Sequence, residues 1–270
     1  LAAPSAQQLD AWLAQYRTPD FVASDPMQLP ALFRGNANPA VVEVHAFLAA
    51  LLAYGRRDLI IASLHNVLDR LGGDLYSYVT QGFSLAKARR DCQGWVYRFN
   101  TADDLVWLLT RLHWATTHYP TLEALWLAHR PAQASPAQAM QAFAQQLRGD
   151  EATPLTYGQR YWLPLPAQGG ACKRWWLFLR WVVRCDDDLP APIDFGLWRT
   201  ALQPSQLLMP VDTHVGRFAD QWQLGCGKAT TWRKAEALTA WLAQYRPHDP
   251  VAYDFALLGL GVSGSQSQRN

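Results

Sequence analysis

Apolar positions recur at helical spacing along nearly the whole chain, and no convincing run of alternating apolar and polar residues interrupts them. After Ser5, placed to cap, Leu9, Trp12, Leu13 and Tyr16 share one side of a helix reaching about Arg17. Val41–Tyr54 is apolar nearly all round, which predicts a buried central helix stopped by Gly55. The same spacing predicts helices at 58–71, 84–92, 102–117, 120–129 and 135–147, then at about 172–185, 194–201, 204–208, 212–223, 229–245 and 249–259. Asp103 and Asp104 suit the first turn of the 102–117 helix, where negative charge meets the positive end of the dipole. The expected fold class is all-α.

Between Arg148 and Gly170 the pattern breaks at Pro154, Gly158, Pro164, Pro166, Gly169 and Gly170. This reads as a connecting loop or hairpin between two lobes, one at about 40–147 and one made of 1–39 plus 171–261, with 262–270 as a flexible tail. Ala11–Arg17 and Ala240–Arg246 both read Ala-Trp-Leu-Ala-Gln-Tyr-Arg. A single seven-residue match in amphipathic helices reads as coincidence, and no repeat architecture is expected.

Composition narrows the class. Of 270 residues, 50% are hydrophobic and 17% charged, which suits a packed globular chain. The net charge of +2 and pI of about 8.4 give no global field for nucleic acid, so any such binding must come from local clustering. The thirteen Trp fit a dense core or a base-stacking groove, and core is the default. Cys92, Cys172, Cys185 and Cys226 lack CxxC spacing, so no zinc or iron–sulfur site is expected; they read as thiols in a reducing cytoplasm. The polar turn after Leu-Ala-Ala predicts no secretory leader, and the missing initiator Met points to a trimmed or partial chain. The longest apolar stretch, Phe47 to Tyr54, is far short of the ~20 residues a bilayer needs. A cytoplasmic monomer without cofactor or metal is expected.

Two segments carry chemistry. In the first, a Pro/Gly-rich turn runs from Leu165 into a helix near Ala171, a junction whose bare N–H groups at Gly169 and Gly170 would seat a phosphate. On that helix Trp175, Phe178, Leu179, Val182 and Val183 gather on one side, while Lys173, Arg180 and Arg184 form a basic stripe on the other, flanked by Trp176. A solvated basic face is the plain reading of such a stripe. Lys173, however, opposes the dipole in the first turn at a cost of a few tenths of a kcal/mol, so another role is sought for it. In the second segment, Leu208-Met-Pro-Val-Asp-Thr-His-Val-Gly-Arg217, Pro210 ends one element and Asp212 caps the next, with His214 in its opening turn.

The run Pro-Val-Asp-Thr-His-Val-x-Arg, downstream of a Gly-rich turn and a helix with an early lysine, resembles the helix-hairpin-helix DNA glycosylase superfamily. The wording Gly-Ala-Cys-Lys-Arg, then Asp-Phe-Gly-Leu-Trp, then Pro-Val-Asp-Thr-His also looks like an uncharacterised bacterial family of about this length, a likeness that extends to Asp25-Pro26, Phe47–Gly55 and Asp249–Gly261. The layout is nearest to archaeal 8-oxoguanine glycosylases, which share an irregular hairpin and a long insert. The compact Leu-Pro-Gly-Val-Gly-x-Lys hairpin is replaced by a longer turn, and the four-cysteine cluster loop of the iron–sulfur branch is absent.

The resemblance implies a two-lobed helical glycosylase-like fold and a catalytic pair, Lys173 as Schiff-base nucleophile and Asp212 as the carboxylate that stabilises the sugar cation. The partner it implies is DNA carrying a damaged base, with an oxidised purine favoured and AP-lyase activity in prospect, at the nucleoid. The base would leave the stack into a pocket for which Trp176, Trp181, Tyr161 and Trp162 are candidates. Phosphate contacts are expected from Gly169, Gly170, Arg174, Arg180, Arg184, His214 and Arg217, with Arg56 and Arg57 further candidates. At pH 7 about one ordinary lysine in 2,500 is neutral. The positive helix end, Arg174 and Arg180 are expected to favour the neutral amine, and a tight ion pair with Asp212 would oppose attack. Three other readings stay open: a non-catalytic DNA- or RNA-binding protein that retains the fold, a thiol enzyme using Cys172 and His214, and RNA or modified-nucleoside chemistry on the same scaffold.

Overall fold

The computed structural model describes residues 3–149, 154–186 and 192–267, with side chains as far as 261. The chain is mainly helical, as expected. In order run α1 (Ala6–Tyr16), α2 (Pro19–Ala23), α3 (Gln28–Ala31), α4 (Pro39–Leu52), α5 (Arg57–Arg70), α6 (Leu75–Thr80), α7 (Leu85–Asp91), α8 (Ala102–His118), α9 (Leu122–His129), α10 (Pro136–Arg148) and α11 (Tyr157–Trp162). They are followed by α12 (Lys173–Val183), α13 (Thr213–Gln221), α14 (Trp232–Ala243) and α15 (Asp254–Ser267). The sheet among the described residues is one antiparallel hairpin, β1 (Val96–Tyr97) and β2 (Asn100–Thr101), with Val96 opposite Thr101 and Tyr97 opposite Asn100. The chain divides into two compact units, Ser24–Leu165 and Leu1–Ala23 with Pro166–Asn270. Residues 24–39 and 148–165 therefore belong to the first of these, which corrects the lobe boundaries expected from the sequence.

In the 24–165 unit, α4 is the central helix that its all-round apolar pattern predicts. Asn38 caps it through Ala40 N–H at 3.1 Å, and every residue from Ala40 to Leu52 is buried. Its two buried polar residues serve neighbouring elements. Glu43 Oε2 accepts the Leu122 amide at the start of α9 at 2.6 Å. His45 bonds through Nδ1 to the Val41 carbonyl at 2.7 Å and accepts the Leu75 amide of α6 on Nε2 at 3.1 Å. That pattern requires the neutral Nδ1–H tautomer, and burial pushes the His45 pKa down to about 4. The stretch expected to be a loop holds α11, capped by Thr156 through the Gln159 amide at 3.1 Å. Its six residues are too few for a periodic signal to stand out among the neighbouring prolines and glycines.

In the other unit, α12 is the core element and α15 packs on α1. Tyr16 lies flat on Gly259, where a built Cβ would meet the ring at 2.2 Å, and Phe21 meets Phe255 edge-on at 5.1 Å. The helix expected at 194–201 is not formed. Phe195 N–H donates to the Trp181 carbonyl and Trp198 N–H to the Val182 carbonyl, both at 2.7 Å, so this stretch is stitched extended along the end of α12. The last helix starts and ends later than its apolar pattern suggests, with residues 262–267 helical in backbone where a loose tail is expected. Residues 268–270 of that expected tail lie outside the described residues.

Candidate functional site

The turn before α12 is an ordered junction. Pro166–Gln168 forms a single 3-10 turn, the Gly169 carbonyl accepts Trp232 N–H at 3.0 Å, and Gly170 bridges antiparallel to Thr231. Cys172 then adopts a left-handed backbone (φ 50°) and Lys173 opens the helix. Thirty-nine residues on, Val211 is buried and the chain turns into α13 at Asp212. Oδ1 of Asp212 accepts the His214 and Val215 amides at 2.8 and 2.9 Å, an N-cap in full. Oδ2 faces Lys173 Nζ at 2.9 Å. The two side chains are 29% and 23% exposed, so the pair meets solvent at the joined starts of two helices.

The electrostatics around this pair are built by burial. Burial pushes the Asp212 carboxyl up, but the Lys173 ammonium and the two capping amides outweigh it and hold the group below the usual carboxylate range. Asp254, in the first turn of α15, is pushed up to about 6 by burial, with Arg180 and Lys173 pulling it down and Asp212 pushing it up. A deep ionic cluster thus feels both members of the surface pair.

That cluster corrects the basic stripe. Arg180 and Arg184 are 1% and 2% exposed. Arg180 donates through Nη1 to Asp254 and lies 3.4 Å from Asp194. Arg184 donates to Asp186 at 2.5 Å, to Asp194 at 2.8 Å and, through Nε, to both oxygens of Asp249 at 2.9 and 3.0 Å. Arg17 reaches Asp186 at 3.1 Å, and the Phe255 ring covers Arg180 at 4.4 Å. The helical wheel identified a polar stripe correctly. It misjudged what faces that stripe, because the carboxylates come from 186, 194, 249 and 254, positions with no periodic relation to α12. Neither arginine is available to a phosphate, and Arg174, 9% exposed, is also buried.

The remaining candidates divide. Gly169, Gly170, His214 and Arg217 are exposed. Trp176, Trp181 and Trp162 have no exposed surface, and all three are core side chains rather than walls of an open pocket. Tyr161 is half-buried in an aromatic cluster of the 24–165 unit. Arg56 is exposed and paired with Asp58, and Arg57 donates to Ser24. Burial pushes the Cys172 thiol up to about 12, with the Arg174 charge only partly opposing it, so the nucleophilic thiolate of the cysteine reading is disfavoured. The four cysteines form no disulfide.

Two surface concavities of ≈350 and ≈440 Å³ lie elsewhere in the same unit, one around Cys226 and Lys228, the other between Arg17, Arg246 and Tyr253. Sequence reasoning missed Lys234, which is 1% exposed and spans Asp220 at 2.7 Å and the Lys228 carbonyl at 3.0 Å. Its neighbours in sequence carry no sign of that burial. No helix among the described residues is long and apolar enough to cross a membrane.

No curated protein and no solved structure matches the chain. Residues 25–263 match the family model described as protein of unknown function, DUF2400, and the chain belongs to that family.

Proposed function

We propose that the chain is a base-excision DNA glycosylase with AP-lyase capacity, in which Lys173 and Asp212 form the reacting pair. The observation that carries the reading is the 2.9 Å contact of a lysine ammonium and a capping carboxylate, both solvent-accessible, at the starts of two helices. The resemblance of the residues around them to helix-hairpin-helix glycosylases supplies the reaction class.

The contact suits a dissociative path, although an ammonium cannot itself attack. As the C1′–N bond breaks, its electron pair leaves with the base and the Lys173 ammonium donates a proton to that base. Asp212 loses its cationic partner just as positive charge develops on the sugar, and the ionised carboxylate stabilises it. The neutral Lys173 amine adds to C1′, and a proton passes from its nitrogen to O4′ as the C1′–O4′ bond breaks, giving the protonated Schiff base. Loss of a C2′ proton to water then expels the 3′ phosphate with the C–O electron pair by β-elimination, and water hydrolyses the imine to return the lysine. The capping amides keep the Asp212 carboxylate ionised and oriented throughout.

The test is borohydride reduction in the presence of duplexes holding 8-oxoguanine, uracil, an alkylated purine or an abasic site, with the oxidised purine tried first. A covalent adduct is expected with the wild-type chain and none with Lys173→Gln. Asp212→Asn is expected to bind and turn over slowly. Absence of cleavage and adduct on every duplex overturns the reading.

A second reading, a nucleic-acid binder without catalysis, is favoured by the ion-paired state of Lys173, which withholds the amine from attack. It predicts that Lys173→Gln leaves affinity unchanged and removes no activity.

A further inference from the structure

The 24–165 unit carries a second feature that the Lys173 chemistry does not use. The β1–β2 turn is two residues long, Arg98 and Phe99, and both are exposed. Phe99, 40% exposed, stacks on Tyr54 at 5.5 Å and meets Tyr157 and Tyr161 edge-on at 5.0 and 4.8 Å. Tyr157 is 62% exposed and Val96 66%. Large apolar side chains this open, gathered at one hairpin, are unusual on a surface with no partner.

The platform is held rigid from below. Tyr54 donates to Asn100 Oδ1 at 2.5 Å, Asn100 Nδ2 to Asp104 at 3.2 Å, and Thr156 to the other oxygen of Asp104 at 2.6 Å. Tyr97 donates to the Tyr54 carbonyl. Asn100 and Asp104 are buried, so the hairpin, α8 and α11 share one satisfied polar network. The rings above it are therefore preorganised.

The turn itself carries strain. Arg98 has φ 55°, a left-handed conformation in which glycine is at ease and an arginine is held at a cost of about 1–2 kcal/mol. Its side chain lies over Gly55, where a built Cβ would stand 3.1 Å from Nη1 and 3.2 Å from Cδ. A strained residue next to the exposed Phe99 in the turn is of the kind found where a ligand binds. Arg160, also exposed, lies on α11 next to Tyr161 in sequence and donates through Nη1 to the Leu155 carbonyl.

We infer that this face is a stacking platform for the unpaired bases of single-stranded nucleic acid, with Phe99 and Tyr157 taking base faces and Arg98 and Arg160 facing the backbone phosphates. Fixed, offset aromatic faces with cations at their edge match the alternation of base and phosphate along a strand. The inference rests on the nucleic-acid part of the reading above and not on Lys173 or Asp212.

The full-length chain is titrated against short single-stranded DNA, single-stranded RNA and duplex DNA, with anisotropy giving affinity and 2-aminopurine fluorescence reporting base stacking. Wild type is expected to bind a single strand and quench the 2-aminopurine. Phe99→Ala and Tyr157→Ala are each expected to weaken binding by roughly 5- to 150-fold. Arg98→Gly, which relieves the turn, is expected to melt no lower than wild type yet bind more weakly and with a shallower salt dependence. Wild-type affinity in both aromatic variants, or no single-strand binding by the wild type, overturns the platform. Binding that depends on Phe99 without any borohydride adduct removes the glycosylase reading alone, and an adduct together with wild-type single-strand affinity in both aromatic variants removes the platform alone.

Discussion

Asp212 divides its carboxylate between two partners, with Oδ2 on Lys173 at 2.9 Å and Oδ1 on the amides that open α13. Asparagine keeps a side-chain oxygen for the amides but loses the charge. Asp212→Asn should therefore cost less than about 1 kcal/mol, whereas Asp212→Ala, which removes the cap as well, should cost about 1–2 kcal/mol. Urea unfolding of both variants checks this. Equal losses would mean that the capping oxygen contributes nothing. Because the folded carboxyl lies below its ordinary range, its contribution is present above the unfolded pKa and is lost as pH falls through the folded value.

Arg184 neutralises carboxylates from three stretches of chain, Asp186, Asp194 and Asp249. Arg184→Met should destabilise by about 3–5 kcal/mol, since it leaves buried carboxylates facing one another. Chemical unfolding measures the loss. A variant that folds normally but binds nucleic acid less tightly would restore the surface role that burial argues against.

His45 should make the molecule sensitive to mild acid. Its folded pKa of about 4 lies below the ordinary 6.5, so between these values the unfolded state binds more protons and stability falls as pH drops. The full shift corresponds to about 3 kcal/mol. Unfolding midpoints from pH 7 to 4 should show this slope, and His45→Gln should flatten it. An imidazole that protonates near pH 6.5 by NMR would refute the neutral tautomer.

Asp254 works in the opposite sense over part of the same range. Its folded pKa, about 6, exceeds the ordinary carboxylate value of 3.8, so the folded state holds the extra proton between them and stability falls as pH rises through that window. Asp254→Asn should remove this opposing slope, leaving a steeper gain in stability between pH 4 and 6 than wild type shows.

Gly158 has no room for a side chain, because a Cβ there would stand 2.4 Å from Asn100 Nδ2 and from Asp104 Oδ2. Gly158→Ala should cost at least about 1–3 kcal/mol through the network beneath the hairpin. A melting temperature unchanged from wild type would show that the network yields easily.

What the sequence could reveal follows from how local each signal is. The all-round apolar run of α4 and the Ser5 cap of α1 were legible, because they depend on residues within a turn or two of one another. The meeting of Lys173 and Asp212 was legible only through motif resemblance, since nothing periodic links positions 39 apart. The burial of Arg180 and Arg184 was not legible. Their partners lie up to 74 residues away in the chain, and a helical wheel distinguishes polar from apolar faces without distinguishing water from carboxylate. The short α11 was hidden among prolines and glycines and the two-residue strands are too short to show alternation, and with them went the setting of Tyr161.

One unit is assembled from both ends of the chain, and Tyr253 bonds Asp10 across 243 positions. At a translation rate of about 5–20 residues per second, α1 waits roughly 12–50 s for the segment that covers Leu9 and Leu13. During that interval Ser24–Leu165 has every residue it needs to fold, while Leu9 and Leu13 still lack the α15 segment that packs on α1. Nascent-chain handling, as much as final stability, therefore sets the demands on Leu9 and Leu13.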